Sequence, residues 1–185
     1  MRRQTLTRRL ATAARWPVGV SLTSWRYMWR TTPLYRSEAT GSWEEDAPPE
    51  LPDEVELDDV QRVSDGSGPH FHRIYSVRIE GSPLSARQLA QRLMANPDAA
   101  APSEFATFQK LRGDDGRLGV NDEFVVRMPG PWDGPVRVAR VTPNSFRFVT
   151  LAGHLEAGQI EFRTREGDHL EFEIESWARS GDRLS

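Results

Sequence analysis

Ile160-Glu161-Phe162-Arg163-Thr164-Arg165-Glu166-Gly167-Asp168-His169-Leu170-Glu171-Phe172-Glu173-Ile174-Glu175 is the most regular stretch of this chain. Ile160, Phe162 and Thr164 alternate with Glu161 and Arg163. Leu170, Phe172 and Ile174 alternate with Glu171, Glu173 and Glu175. A period of two marks a strand with one buried face. Two such strands joined through a glycine make a hairpin. Apolar residues stay opposite apolar ones only if the loop holds an odd number of residues. Glu166-Gly167-Asp168 supplies three. That loop predicts Arg163 opposite Glu171, with Phe162 on the face of Phe172. Arginine opposite the glutamate row reads as a solvated cross-strand charge face rather than a cation site.

Working outward, the same alternation predicts strands at 123–128, 135–142, 146–151, 158–165 and 169–178, with Pro143-Asn144-Ser145 as a turn. Upstream, Phe71, Tyr75, Val77 and Ile79 alternate with His70, His72, Ile74 and Ser76, which predicts a strand over His70–Ile79. Ser85 and Gln88 have capping-box spacing, and a helix with Leu89 and Leu93 follows, stopped by Asn96-Pro97. Phe105, Phe108 and Leu111 recur three apart, which predicts a second short helix over Ser103–Leu111. The expected fold is α+β: a curved antiparallel sheet with two short helices. No βαβ alternation is present, so a Rossmann sheet is excluded.

The N-terminal third has a different composition. Residues 1–37 carry eight arginines and no acid, and residues 38–65 carry eleven acids against Arg62 alone. The remaining residues are near neutral. This divides the chain into a basic amphipathic arm (1–37), an acidic Pro-rich linker (38–68) and an α+β domain (69–185). Within the arm, Val18, Leu22, Trp25 and Trp29 form one stripe after Pro17, and Pro33 ends it, so residues 18–31 read as an amphipathic helix. Three roles are open to it: docking on a partner protein or on the chain's own sheet, lying on an anionic membrane with the tryptophans at the interface, or serving as an organelle transit segment. No run of apolar residues is long enough to span a bilayer, and arginines interrupt any signal-peptide core. The expectation is a cytoplasmic protein with peripheral membrane contact through residues 18–31 as an alternative. No basic face marks the folded part, so no nucleic-acid partner is expected. With no cysteine in the 185 residues, disulfides, thiolate nucleophiles and cysteine metal sites are excluded. Lys110 is the one lysine; the arginine bias fits a GC-rich, bacterial genome.

Two segments carry a resemblance. One is Gly130-Pro131-Trp132-Asp133-Gly134-Pro135-Val136-Arg137-Val138. The other, more specific, is Thr150-Leu151-Ala152-Gly153-His154-Leu155-Glu156-Ala157-Gly158-Gln159-Ile160-Glu161-Phe162. Together they resemble the uncharacterised family known as domain of unknown function 1990, over about residues 70–180. That family has proline where Leu155 stands here. The resemblance implies a relation to the helix-grip, START/Bet v 1-like superfamily, whose members often hold apolar ligands between a curved sheet and a C-terminal helix. It implies no established activity. The C-terminal helix of that fold is apparently missing, because this sequence stops soon after the last strand.

The candidate site residues each have two readings. His154 and Glu156 point the same way in extended chain, as a general base and its orienting carboxylate would. Between Gly153 and Gly158 they equally read as polar caps of a shaped turn. His70, His72 and His154 supply three imidazoles, but local spacing fixes no third ligand, so no metal is assigned. Trp132, Phe146, Phe148, Phe105 and Phe108 either line a ligand cavity or fill the core. No phosphate-loop lysine, dinucleotide fingerprint or Gly-x-Ser-x-Gly elbow occurs, so no cofactor is expected. The favoured function is binding of a small apolar or amphipathic ligand on the concave sheet face near Trp132, Phe146, Phe148 and His154. The alternatives are an enzyme using His154 and Glu156 on such a ligand, and an interaction module that docks through the arm.

Overall fold

The computed structural model describes residues 35–39, 46–100, 106–127 and 133–181. Eight strands form one antiparallel sheet: β1 (Tyr35–Ala39), β2 (Ser67–Ile79), β3 (Thr107–Arg112), β4 (Glu123–Arg127), β5 (Asp133–Val141), β6 (Ser145–Thr150), β7 (Glu156–Glu166) and β8 (Leu170–Ser180). Their order is β1-β2-β8-β7-β6-β5-β4-β3. The meander β3 to β8 is therefore sequential, and its last strand pairs with β2. The single α-helix among the described residues, α1 (Ala86–Ala95), carries the chain from β2 toward the far edge. Its start is the expected capping box, with the Ser85 side chain accepting the Gln88 N–H and the Gln88 side chain accepting the Ser85 N–H.

Alternation gives each strand an inner and an outer side. The inner side holds the aromatic core. Phe124, Val126, Val136, Val138, Phe146, Phe148 and Phe162 pack there with Leu93 of α1, and Phe108 and Phe172 flank them. Phe146 and Phe162 stack with ring centroids 4.9 Å apart, while Phe148 meets Phe146 and Phe124 edge-on. Both geometries suit the ring quadrupole.

Residues 103–111 do not form a second helix: Thr107–Arg112 is the edge strand β3, and 103–105 lie outside the described residues. The three-residue spacing of the apolar side chains misleads here. Phe108 turns inward against Phe148, whereas Leu111 is exposed. Lys110 shares the inward side, pairing with Asp122 at 2.7 Å. An inward-pointing charge on an edge strand discourages pairing with other chains.

The β7–β8 hairpin keeps the expected faces but not the expected pairs. The loop is Gly167-Asp168-His169, one residue further on, so Arg163 pairs with Glu173 and Arg165 with Glu171. Both loops have three residues. The slip moves the register by two, which leaves Phe162 and Phe172 on one face.

Residues 46–66 lie on the sheet rather than spanning open solvent as a linker. Val55, 4% exposed, packs on Ala139 and Val149 of the outer face. Val63 is 3% exposed. Asn121 clamps the strap, accepting the Glu56 N–H and donating to the Glu54 carbonyl, each at 2.8 Å. Further along, Gln61 N–H donates to Thr150 O at 2.8 Å, and Val60 bridges to Leu151. Apolar residues spaced through the acids let the segment bury one side while its carboxylates stay wet. The packing thus crosses the boundary drawn at 68/69, and β1 crosses the one drawn at 37/38. The 18–31 segment lies outside the described residues. Val55→Ala removes two buried methyl groups and is expected to cost about 1.5 kcal/mol, read as a lower urea midpoint. A free linker would show no change.

Candidate functional site

Phe146 and Phe148 are each 1% exposed, and their rings are closed in by other rings. They fill core. Trp132 lies outside the described residues. His154 sits on the β6–β7 turn, away from both phenylalanines in role. Its Nδ1 lies 2.9 Å from the Glu156 amide nitrogen and 3.0 Å from the Glu156 carbonyl oxygen. The ring therefore caps its own turn in either tautomer. The Glu156 carboxylate goes elsewhere, to Arg73 at 3.3 Å. The two residues do not form a base–carboxylate pair.

The Thr150–Phe162 motif has a structural account. Gly153 has a φ of +97°, a conformation glycine adopts without the cost other residues meet. A Cβ on Gly158 would lie 1.9 Å from the Trp177 carbonyl oxygen, so β8 can approach only a glycine. Thr150 Oγ1 accepts the Gly158 N–H at 2.9 Å and donates to the Gln61 carbonyl at 2.9 Å. The Ala152 N–H donates to Asp59 O at 2.7 Å. The motif builds the turn on which the strap lands.

On the outer face, the charge row is buried rather than solvated. Glu161 and Glu173 have the accessibility of core residues. Arg165 donates to both oxygens of Glu173, at 3.0 and 3.3 Å, and Arg163 donates to Glu175. His72 joins this network. Its Nδ1 is 2.9 Å from Asp46 Oδ1 and its Nε2 is 2.8 Å from Glu175 Oε1, and the ring stacks on Trp177. Both contacts are hydrogen bonds only when the imidazole carries two protons. Beside it, His70 Nε2 lies 2.8 Å from Asp46 O. Two arginines reach under the strap. Arg137 is fully engaged, with Nε and Nη2 on Glu123 Oε1 and Nη1 on the carbonyls of Glu56 and Asp58. Arg147 makes one hydrogen bond, from Nη2 to Glu50 O at 3.2 Å.

Two hollows flank the strap. One, of about 440 Å³, lies between residues 48–64 and the floor formed by Val149 and Gln159. Leu51, Val55, Leu57 and Val63 give it apolar walls. Gln159 Nε2 donates to Pro49 O at 2.8 Å, which leaves the buried Oε1 without a partner. The other, of about 490 Å³, is polar and opens over Arg140, Glu161, Arg163 and Glu175, with Pro49 as the shared wall. Sequence reasoning passed over both, because composition alone assigned residues 48–64 to a linker. Leu51, Val55, Leu57 and Val63 were the signal that these residues pack.

Among the described residues no group of three or more metal-ligating side chains converges. Nor does any helix among them have the length and apolarity to cross a membrane. No family model matches the chain, and no curated protein does. Among solved structures, the crystal structure of CalU16 from Micromonospora echinospora is similar, at 12% identity and a TM-score of 0.47, covering 80% of this chain and 73% of that one. So distant a likeness does not bear on the site.

The two histidines respond to pH with opposite sign. Burial alone would lower the His72 pKa, but the hydrogen bonds to Glu175 and Asp46 outweigh it and raise the pKa above the ordinary 6.5. Its stabilisation is complete below 6.5 and is lost as pH rises through the folded value. Burial holds His154 below 6.5, against the opposing pull of Glu156. Its contribution is complete above 6.5 and is lost as pH falls toward the folded value. Urea midpoints measured from about pH 5 to 8 are expected to lose their alkaline decline in His72→Gln. In His154→Gln they are expected to lose part of their acid decline.

Proposed function

We propose that this chain is a small-ligand-binding module of the helix-grip, START-like type, related to domain of unknown function 1990, and that its ligand is a small apolar or amphipathic molecule. The topology supports the fold assignment: a strand, a helix, then a sequential antiparallel meander whose last strand returns to pair with the first. The Thr150–Phe162 motif, built into one turn, supports the family assignment.

The observation that carries the ligand reading is the groove under residues 48–64. Its volume of about 440 Å³ falls in the range of small-molecule sites. Its walls are aliphatic, and its floor presents one buried acceptor, Gln159 Oε1, with no protein donor. An unpaired buried acceptor costs free energy that a ligand N–H or O–H would recover. The favoured ligand is therefore largely apolar with a single donor group, held on the outer face. The filled environment of Phe146 and Phe148 disfavours the concave-face location at those two residues. The engagement of Glu156 with Arg73 disfavours the proton-transfer reading.

Binding of a neutral apolar dye such as Nile red, followed by fluorescence, tests this. Leu57→Glu places a charge on the groove wall without touching the core and is expected to weaken binding at least about tenfold, equivalent to 1.4 kcal/mol. Amide shifts on dye addition should cluster at residues 48–64, Val149 and Gln159. Undiminished binding in Leu57→Glu, or shifts confined to the inner face, would overturn the reading.

A further inference from the structure

The polar cleft beside the strap stands on a different set of observations. One row of outer-face residues crosses β5 to β8 as Arg140, Arg147, Glu161 and Glu175, each directly opposite the next. Two arginines therefore face each other, then two glutamates. Like charges directly opposite are destabilising. The acidic half is compensated: Glu175 receives His72 and Arg163, and Arg163 Nε lies 4.0 Å from Glu161. The basic half is not. Arg140 has no ion pair among the described residues. Arg147 is 2% exposed, and its Nε and Nη1 are buried without a hydrogen-bond partner. Arg137, on neighbouring β5, shows that the same face can satisfy a buried guanidinium completely. Burial, opposed by Glu161 and reinforced by Arg140 and Arg163, pulls the Arg147 pKa down.

A buried arginine with two idle nitrogens is a poor choice for stability, since an apolar side chain of similar volume would serve the fold as well or better. It is a good choice for holding an anion. The cleft of about 490 Å³ is walled by Arg140 on one side of the row and Glu161 on the other, with Arg147 between them beneath it, and the Ser145 hydroxyl stands nearby.

We propose that this cleft binds an oxyanion, the carboxylate or phosphate group of a small molecule, on Arg140 and Arg147. The anion supplies the charge that separates the two arginines and gives the idle Arg147 donors an acceptor. Guanidinium is suited to both groups because its planar donors match their oxygens. The site does not depend on the apolar groove, and either reading survives failure of the other.

The test uses the full chain, with inorganic phosphate and acetate as probes against chloride at matched ionic strength. Side-chain Nε–H resonances of Arg140 and Arg147 and the thermal midpoint are followed together. Phosphate or acetate is expected to move both resonances and raise the midpoint; which of them acts identifies the group recognised. The exposed Arg140→Gln should fold normally and weaken binding about tenfold, the range for a lost charged hydrogen bond. Arg147→Met is expected to keep or raise the ligand-free midpoint while abolishing the anion response. Three results would overturn the proposal: no response to either probe, the same response to chloride, or a fall in Arg147→Met stability as large as in Arg137→Met.

Discussion

A strand that buries one side chain must present the next to the opposite side, and in this sheet neither side is left to water. The inner side is filled by phenylalanines and α1. The outer side of β5 to β8 carries Arg137, Arg140, Arg147, Glu161, Arg163, Glu173 and Glu175. Charges taken out of water must be paired or hydrogen-bonded. That requirement governs where the strap runs and what it touches. Its backbone carbonyls at Glu50, Glu56 and Asp58 are acceptors for the two arginines beneath it. Its apolar residues cover Ala139 and Val149, where the β5 bulge interrupts the charged pattern.

The outer face therefore carries the specificity of the molecule, and it is unevenly satisfied. Arg137 and Glu123 form a closed set; so do Arg165 and Glu173. His72 is satisfied as an imidazolium between two carboxylates. Arg147 and the Gln159 carbonyl oxygen are not satisfied, and each lies close to Pro49, the wall common to both hollows. Natural domains leave few such groups. Their location beside open volume ties the energetic irregularity to binding rather than to folding.

The β6–β7 turn links the two faces. Thr150 joins β6, β7 and the strap through one hydroxyl, and Gly158 allows β8 to close on β7. The residues that carry the family resemblance are thus explained by local geometry. His154 belongs to the same architecture, as a cap on its own loop.

Period-two alternation was enough to place six of the strands, the face of each side chain along β7 and β8, and the start of α1 at Ser85, because these depend on residues close in sequence. The aromatic core was legible for the same reason. What the sequence left undecided depends on distant contacts. Parity fixes which face Phe162 and Phe172 share, but either three-residue loop satisfies parity, and only packing against β2 and β6 selects Arg163 opposite Glu173. The i, i+3 spacing of Phe105, Phe108 and Leu111 mimics a helix until β4 and Phe124 are there to receive Phe108. The acids of residues 46–66 read as a solvated linker, since composition records charge but not the sheet that Val55 and Val63 cover. The two hollows exist only where that strap meets Val149, Gln159 and the Arg147 row, residues about 100 positions away in sequence. Contacts at such separation are closed by the fold as a whole, and no local pattern announces them.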